Sequence, residues 1–157
     1  MTSVEPSIRE AQESDLPAVL ELYADPEVDD GYIMPEENAL RLFRKMKEYP
    51  YLKLFVAELD GRVVGTYELL IMDNLAHDGA RSAVVEDVVV AGALRGHGIG
   101  RAMMAHAIEV CRGFGCYKVS LSSAQFREAA HRFYDGLGFE RYGQAFVVGP
   151  WDPRLVH

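Results

Sequence analysis

Cysteine is nearly absent from this sequence: Cys111 and Cys116 are its whole complement, with no Cys-x-x-Cys pair or Cys/His spacing that would close a zinc tetrahedron. Both therefore read as reduced packing residues, and no metal is expected. Long hydrophobic runs are missing too. No stretch approaches the roughly 20 apolar residues of a membrane span, and Met1-Thr2-Ser3-Val4-Glu5-Pro6 lacks the basic and apolar regions of a signal peptide. The expectation is a cytoplasmic protein without a membrane partner. Basic charge is short as well. Sixteen Lys and Arg stand against 24 Asp and Glu, a formal net charge of -8, which argues against a general nucleic-acid binder because such proteins rely on basic surface.

What is present suits one globular domain over residues 1–157. A chain of this length buries roughly 70% of the surface exposed when unfolded. Its 49% apolar and 25% charged residues argue against disorder. No repeat, linker or low-complexity segment divides it.

Residues 7–12 read as a short strand. Ser14 then caps a helix carrying Leu16, Val19, Leu20 and Tyr23 on one face. An acidic loop from Glu27 to Met34 leads to a second helix, with Pro35 at its start and Ala39, Leu40, Phe43 and Met46 in helical register. Tyr51 to Leu59 and Val63 to Met72 read as antiparallel strands joined by Asp60-Gly61, a two-residue hairpin signal. A polar loop with Asn74, His77, Asp78 and Gly79 precedes a β-branched strand from Ala83 to Val90. The stripe Ile99, Met103, Ala107, Val110 and Phe114 marks a third long helix. Tyr117 to Leu121 reads as a strand, Phe126 to Leu137 as a helix, and Phe139 to Val148 as a final strand. The order predicts an α/β (mixed α+β) fold: one twisted mixed sheet of about six or seven strands, flanked by about four helices.

Between the strand ending at Val90 and the helix starting at Ile99 lie Arg95-Gly96-His97-Gly98-Ile99-Gly100-Arg101. Helix N-termini present unpaired N–H groups and partial positive charge, and glycines let a phosphate approach without meeting a Cβ atom. A diphosphate is the natural ligand. The dinucleotide pattern Gly-x-Gly-x-x-Gly fails at Arg101, and the Gly-Lys-Ser/Thr of a P-loop is absent.

In Arg95-x-x-Gly98-x-Gly100, after an apolar strand and before an amphipathic helix, the sequence resembles the GNAT superfamily of acetyl-CoA-dependent N-acetyltransferases. The likeness runs through residues 84–139 and includes Ala129-Ala130-His131-Arg132-Phe133-Tyr134 and Gly136-Leu137-Gly138-Phe139. Gly115-Cys116-Tyr117-Lys118 and Glu86-Asp87 are also similar to glucosamine-phosphate acetyltransferases. The resemblance implies acetyl-CoA as cosubstrate. The backbone at Val88, Val89 and Val90 would pair with the pantetheine arm as an added strand. N–H groups from Gly96, His97, Gly98, Ile99, Gly100 and Arg101 would receive the diphosphate, with Arg95 beside them. Some members carry an Asn where Ala130 stands, so here either Ser122, Ser123 or Gln125 replaces that cofactor contact or the contact is missing.

Acetyl transfer from a thioester needs a neutral amine, a donor for the oxyanion and a proton for the leaving thiolate. Tyr134 supplies that proton by resemblance, its phenol staying protonated at neutral pH. Glu86 precedes the pantetheine segment and is a candidate base; Asp87 or water are alternatives. Strand alternation lets only one of the two acids face the cleft unless a bulge intervenes. The Val88 N–H is the candidate oxyanion donor. Asp29, Asp30, Glu36, Asp73, Asp78 and His77 would suit a cationic acceptor, Lys53 and Arg81 an anionic one. The expected partner is a small-molecule or peptide amine, with a homodimer through the last strand and the Trp151–His157 tail as a further expectation. The alternative is a non-catalytic acyl-CoA-binding sensor or docking domain.

Overall fold

A computed structural model describes residues 5–151, apart from the side chains of Glu27 and Asp29. The side chain of Asp29, named above as an acceptor contact, and residues 152–157 of the tail thus lie outside the described set. The chain divides into two compact units, Met1–Leu121 and Ser122–His157.

The first unit holds one five-stranded sheet in the order β1-β2-β3-β4-β5. Its strands are β1 (Ser7–Glu10), β2 (Leu52–Leu59), β3 (Arg62–Met72), β4 (Arg81–Val90) and β5 (Cys116–Ser120), with helices α1 (Leu16–Tyr23), α2 (Glu36–Met46) and α3 (Ile99–Gly113). Neighbours from β1 to β4 are antiparallel, and β5 runs parallel to β4. Asp60 and Gly61 both take positive φ (51° and 76°), the geometry of a two-residue turn whose twist matches its strands. A single helical turn, Pro26–Asp29, sits where only loop was expected.

Two apolar layers hold the sheet. On one side Leu16, Val19 and Leu20 of α1 and Ala39 and Phe43 of α2 close over Leu54 and Val56. On the other, α3 buries Ile99, Met103, Met104, Ala107 and Cys111. Gly65 permits that approach, because a Cβ there would stand 3.1 Å from Met103 Sδ and 3.3 Å from Ile99 Cγ2. Tyr67 is fully buried, stacks on Phe55 and is hydrogen-bonded through its hydroxyl to His106 Nδ1 at 2.7 Å. Burial lowers the His106 pKa, which favours the neutral ring that can accept this bond.

The start of α1 is anchored differently from the sequence expectation. Asp15, not Ser14, accepts the Gln12 N–H at 2.7 Å. Its carboxylate also takes two bonds from Arg9, at 2.7 and 2.9 Å, and Arg9 reaches Glu58 of β2 at 2.8 Å. This charge-assisted fork ties strand, helix start and neighbouring strand together. It also holds the Asp15 carboxyl below its usual range.

The second unit contains α4 (Glu128–Gly136). The final strand expected over Phe139 to Val148 does not form among the described residues, so the sheet has five strands, not six or seven. The alternation there finds no ladder to join. Phe146 and Val147 are 90% and 98% exposed, so neither has a face to bury.

Candidate functional site

Strand β4 is two structures in one. From Ser82 to Val84 it is paired on both sides, to β3 and to Lys118–Ser120 of β5. From Val85 to Val90 only the β3 side is paired among the described residues, which leaves the other edge's N–H and C=O groups unmatched there. Such an edge can take an amide-bearing ligand as an extra strand. Val88 and Val90 are half-buried along it, while Val89 is 4% exposed and belongs to the core.

A bulge interrupts this open half. Thr66 pairs with Val89, but Glu68 pairs with Glu86, so β4 carries one extra residue. That residue is Asp87, with φ of 49°. The bulge removes the constraint of strict alternation: Glu86 and Asp87 are both exposed, and both act on Glu68. Burial first, then the charges of Asp87 and Glu86, hold the Glu68 carboxyl above its usual range, and it lies within hydrogen-bonding reach of Asp87. From α1, Tyr23 reaches the same place. Its hydroxyl bonds Thr66, whose own hydroxyl donates to the Phe55 carbonyl at 2.8 Å. Burial, Asp87 and Glu68 in turn push the Tyr23 phenol up and keep it protonated.

The open half leads into the glycine turn. Gly96 (φ 81°) and Gly98 (φ 90°) occupy the left-handed region, where a side chain would be strained. The first backbone bond into α3 runs from the Ala102 N–H to the Gly98 carbonyl, 3.0 Å, so the N–H groups of Ile99, Gly100 and Arg101 stand outside the helical ladder. The Ile99 side chain is buried, which fixes the helix start, and Arg101 is exposed. Arg95 is engaged with Asp25 at 2.5 Å, and His97 Nδ1 lies 3.1 Å from the Arg95 carbonyl. An open cleft of about 480 Å³ runs beside the turn, lined by Glu21, Leu22, Asp25, Val63, Val90 and Gly92.

In the second unit, Tyr134 lies on α4 between Phe133 and Phe139, edge-on to both rings (centroids 5.1 and 5.6 Å). Burial raises its pKa, so the phenol keeps its proton. His131 Nε2 lies 2.9 Å from the Ala124 carbonyl, and the Ser123 hydroxyl is buried without a hydrogen-bond partner among the described residues. A buried hydroxyl in that state is a group a ligand would satisfy.

The first unit thus gathers Glu86, Val88 to Val90 and the turn from Arg95 to Arg101 along one strand and its outlet. Glu68 was missed by sequence reading, although a lone carboxylate amid the apolar β3 residues Val64 to Ile71 was a signal. The residues suggested for an anionic acceptor are already occupied. Lys53 pairs with Glu10 at 3.7 Å; Arg81 pairs with Asp73 at 3.0 Å and stacks against Tyr51. Ring contact at 4.3 Å ties His77 to Tyr117. Asp30 and Asp78 both hold positive φ in turns, and Glu36 opens α2.

The model of the acetyltransferase (GNAT) family matches residues 14–139. A glucosamine 6-phosphate N-acetyltransferase of Trypanosoma brucei brucei is 38% identical over 90 residues, 57% of this chain and 59% of that protein. A probable glucosamine 6-phosphate N-acetyltransferase of rice (Oryza sativa subsp. japonica) is 32% identical over 57% of this chain and 52% of its own. The chain therefore spans less than two thirds of the length of these curated relatives. Among solved structures, a putative acetyltransferase from Agrobacterium tumefaciens superposes with a TM-score of 0.85 at 38% identity, covering 91% of this chain and 99% of that one. A protein described as a transcriptional regulator from Bacillus halodurans also gives 0.85, at 29% identity over 92% and 99% of the two chains.

Proposed function

The chain belongs to the GNAT acetyltransferase family, and we propose that it is an N-acetyltransferase that moves the acetyl group from acetyl-CoA to a primary amine by direct transfer in a ternary complex. The observation that carries this reading is the open half of β4, which runs straight into a turn with unladdered N–H groups. Acetyl-CoA supplies the activated thioester. The free edge at Val88 to Val90 holds the amide-bearing arm, and the N–H groups of Gly96 to Arg101 hold the diphosphate. Ser123, whose buried hydroxyl has no partner among the described residues, supplies the contact that family members with Asn at the Ala130 position make there.

Glu86 takes a proton from the ammonium group of the acceptor, freeing the nitrogen lone pair for attack. The Val88 N–H faces the developing oxyanion. Tyr134 protonates the departing thiolate, a role that suits a phenol held in its neutral form by burial. The acceptor is a small-molecule or peptide amine; glucosamine 6-phosphate, named in the relatives, heads the panel to be tried. The family match crosses both compact units, which supports one domain over 1–157. Cytoplasmic residence and a homodimer through the exposed Phe146, Val147 and Trp151 complete the reading.

Free-thiol release from acetyl-CoA across a panel of amines tests the proposal. Wild type should turn over with at least one amine, and Tyr134→Phe should lose about 100-fold in kcat. Undiminished turnover in that variant would remove Tyr134 as the acid. The second reading, an acyl-CoA sensor without turnover, draws on the neighbour described as a transcriptional regulator. It predicts CoA-induced thermal stabilisation, about 2.7 kcal/mol at 100 times Kd, with no transfer to any amine.

A further inference from the structure

The residue left unused by the acetyl-transfer scheme is Glu68, and its position is unusual. It stands in the middle of β3, on the face where Tyr23 and Thr66 meet, directly opposite Glu86 in the ladder. Side chains so paired on one face of a sheet have Cβ atoms about 5 Å apart. The extra residue of the bulge brings a second carboxylate, Asp87, to hydrogen-bonding reach of Glu68. Two exposed acids at the open half of β4 are therefore backed by a half-buried third.

A regular strand would have turned Asp87 to the opposite face and left Glu68 with one acidic neighbour. The charged groups acting on Glu68 are Asp87 and Glu86 from β4, and the titratable group reaching it from α1 is Tyr23; the paired β2 position is the apolar Leu54. Among the described residues no cation acts on Glu68, so a proton is its available counter-charge. Two carboxylates within hydrogen-bonding reach are best satisfied when one proton lies between them.

Resting on the acetyl-transfer reading, we propose that Glu68 is a positioning residue for the base: the proton Glu86 removes from the acceptor ammonium passes across the ladder to Glu68, where Asp87 holds it by a hydrogen bond. In the step, one N–H bond of the ammonium breaks and its electron pair stays on nitrogen. The proton goes first to a Glu86 oxygen and then to the Glu68–Asp87 pair, which changes from two negative charges to one. Glu86 returns to the carboxylate form facing the cleft, and no oxidant or further reactant is needed. The proton leaves the pair to solvent between turnovers. Glu68 thus acts through Glu86 and need not touch the amine.

The experiment is the pH profile of kcat and kcat/KM for wild type, Glu68→Gln and Glu68→Asp, with the best amine of the panel. Glu68→Gln keeps a donor for Asp87 but cannot take the proton. It should lower kcat about 10-fold or more, leave the KM for acetyl-CoA within about twofold, and change the acidic limb of the profile. Glu68→Asp should recover most of the rate and the limb. A Glu68→Gln enzyme with wild-type kcat and an unmoved limb would overturn the proposal while acetyl transfer stands. If Glu68→Gln does not fold, carboxyl-carbon NMR of the wild type decides. Glu68 should titrate above an ordinary glutamate and move downward in Asp87→Asn; an ordinary titration overturns the proposal. If wild type acetylates no amine, the acetyl-transfer reading falls, and the destination assigned to the proton falls with it.

Discussion

The two halves of β4 are made of similar residues and behave differently. In Ser82 to Val84, both edges are paired and Ser82 and Ala83 are buried, so the segment is an ordinary interior strand. In Val85 to Val90, one edge has no partner among the described residues, an extra residue bends the ladder, and two carboxylates stand exposed beside a third that is half-buried. Apolar alternation describes the first half well and the second only partly. The difference lies in what each half is asked to satisfy. The paired half meets its backbone groups within the sheet, whereas the open half leaves them for something else. Local rules that fail in a confined place, next to elements that obey them, are the mark of a functional segment.

The comparison is most severely tested by one substitution in each half. Ala83 has no exposure and lies between Ile71 and Val119 in the ladder. Ala83→Asp buries a charge without a partner and should cost about 3 kcal/mol or more, read as a large fall in the urea midpoint. Glu86→Gln, three residues on, should stay within about 0.5 kcal/mol of wild type but lose about 100-fold in acetyl transfer. Should Glu86→Gln prove as destabilising as Ala83→Asp, the two halves would not be separable into framework and site.

The turn that follows offers a smaller effect. Gly98 sits at φ 90° immediately before α3. Gly98→Ala should cost about 1–2 kcal/mol in stability, because an L side chain is strained there. It should also weaken CoA binding about 10-fold by redirecting the N–H groups of Ile99 to Arg101. Calorimetric titration measures the second effect apart from the first. A destabilised protein with an unchanged Kd would assign the glycine to the fold alone.

Much of this was legible in the sequence, for identifiable reasons. Asp60-Gly61 announced its hairpin because few dipeptides accept two positive φ values in a row. The stripe of Ile99, Met103 and Ala107 announced α3 because its apolar face is wide and continuous. The left-handed turn at Gly96 and Gly98 was readable because glycine spacing reports backbone geometry directly. Phe139 to Val148 misled because alternation records only a side-chain pattern, and a strand also needs an edge to pair with. The bulge at Asp87 was an alternative that alternation could not decide, and Glu68 gained its meaning only from the register that set it opposite Glu86. Residues whose role depends on a partner distant in sequence are the ones a single sequence conceals.

The smallest predicted effect concerns the stability cost of the open half. The folded protein raises the Glu68 proton affinity above the unfolded value, by burial first and then by Asp87 and Glu86. For such a group the folded state binds more proton than the unfolded one between the two pKa values, so stability falls as pH rises through that window. Below the unfolded pKa, near 4.5, Glu68 is protonated in both states and costs nothing. Glu68→Gln has no proton to lose. Its Tm should therefore exceed the wild-type value at pH 7.5 by more than at pH 4, with the gap opening as pH rises. Ala83 has no titratable group, and a conservative change there should show no such pH-dependent gap. Thermal melts at four or five pH values measure the slope. A gap that stays flat or narrows with pH would mean that the open half holds its three carboxylates without cost, and would remove the energetic distinction between the two halves of the strand.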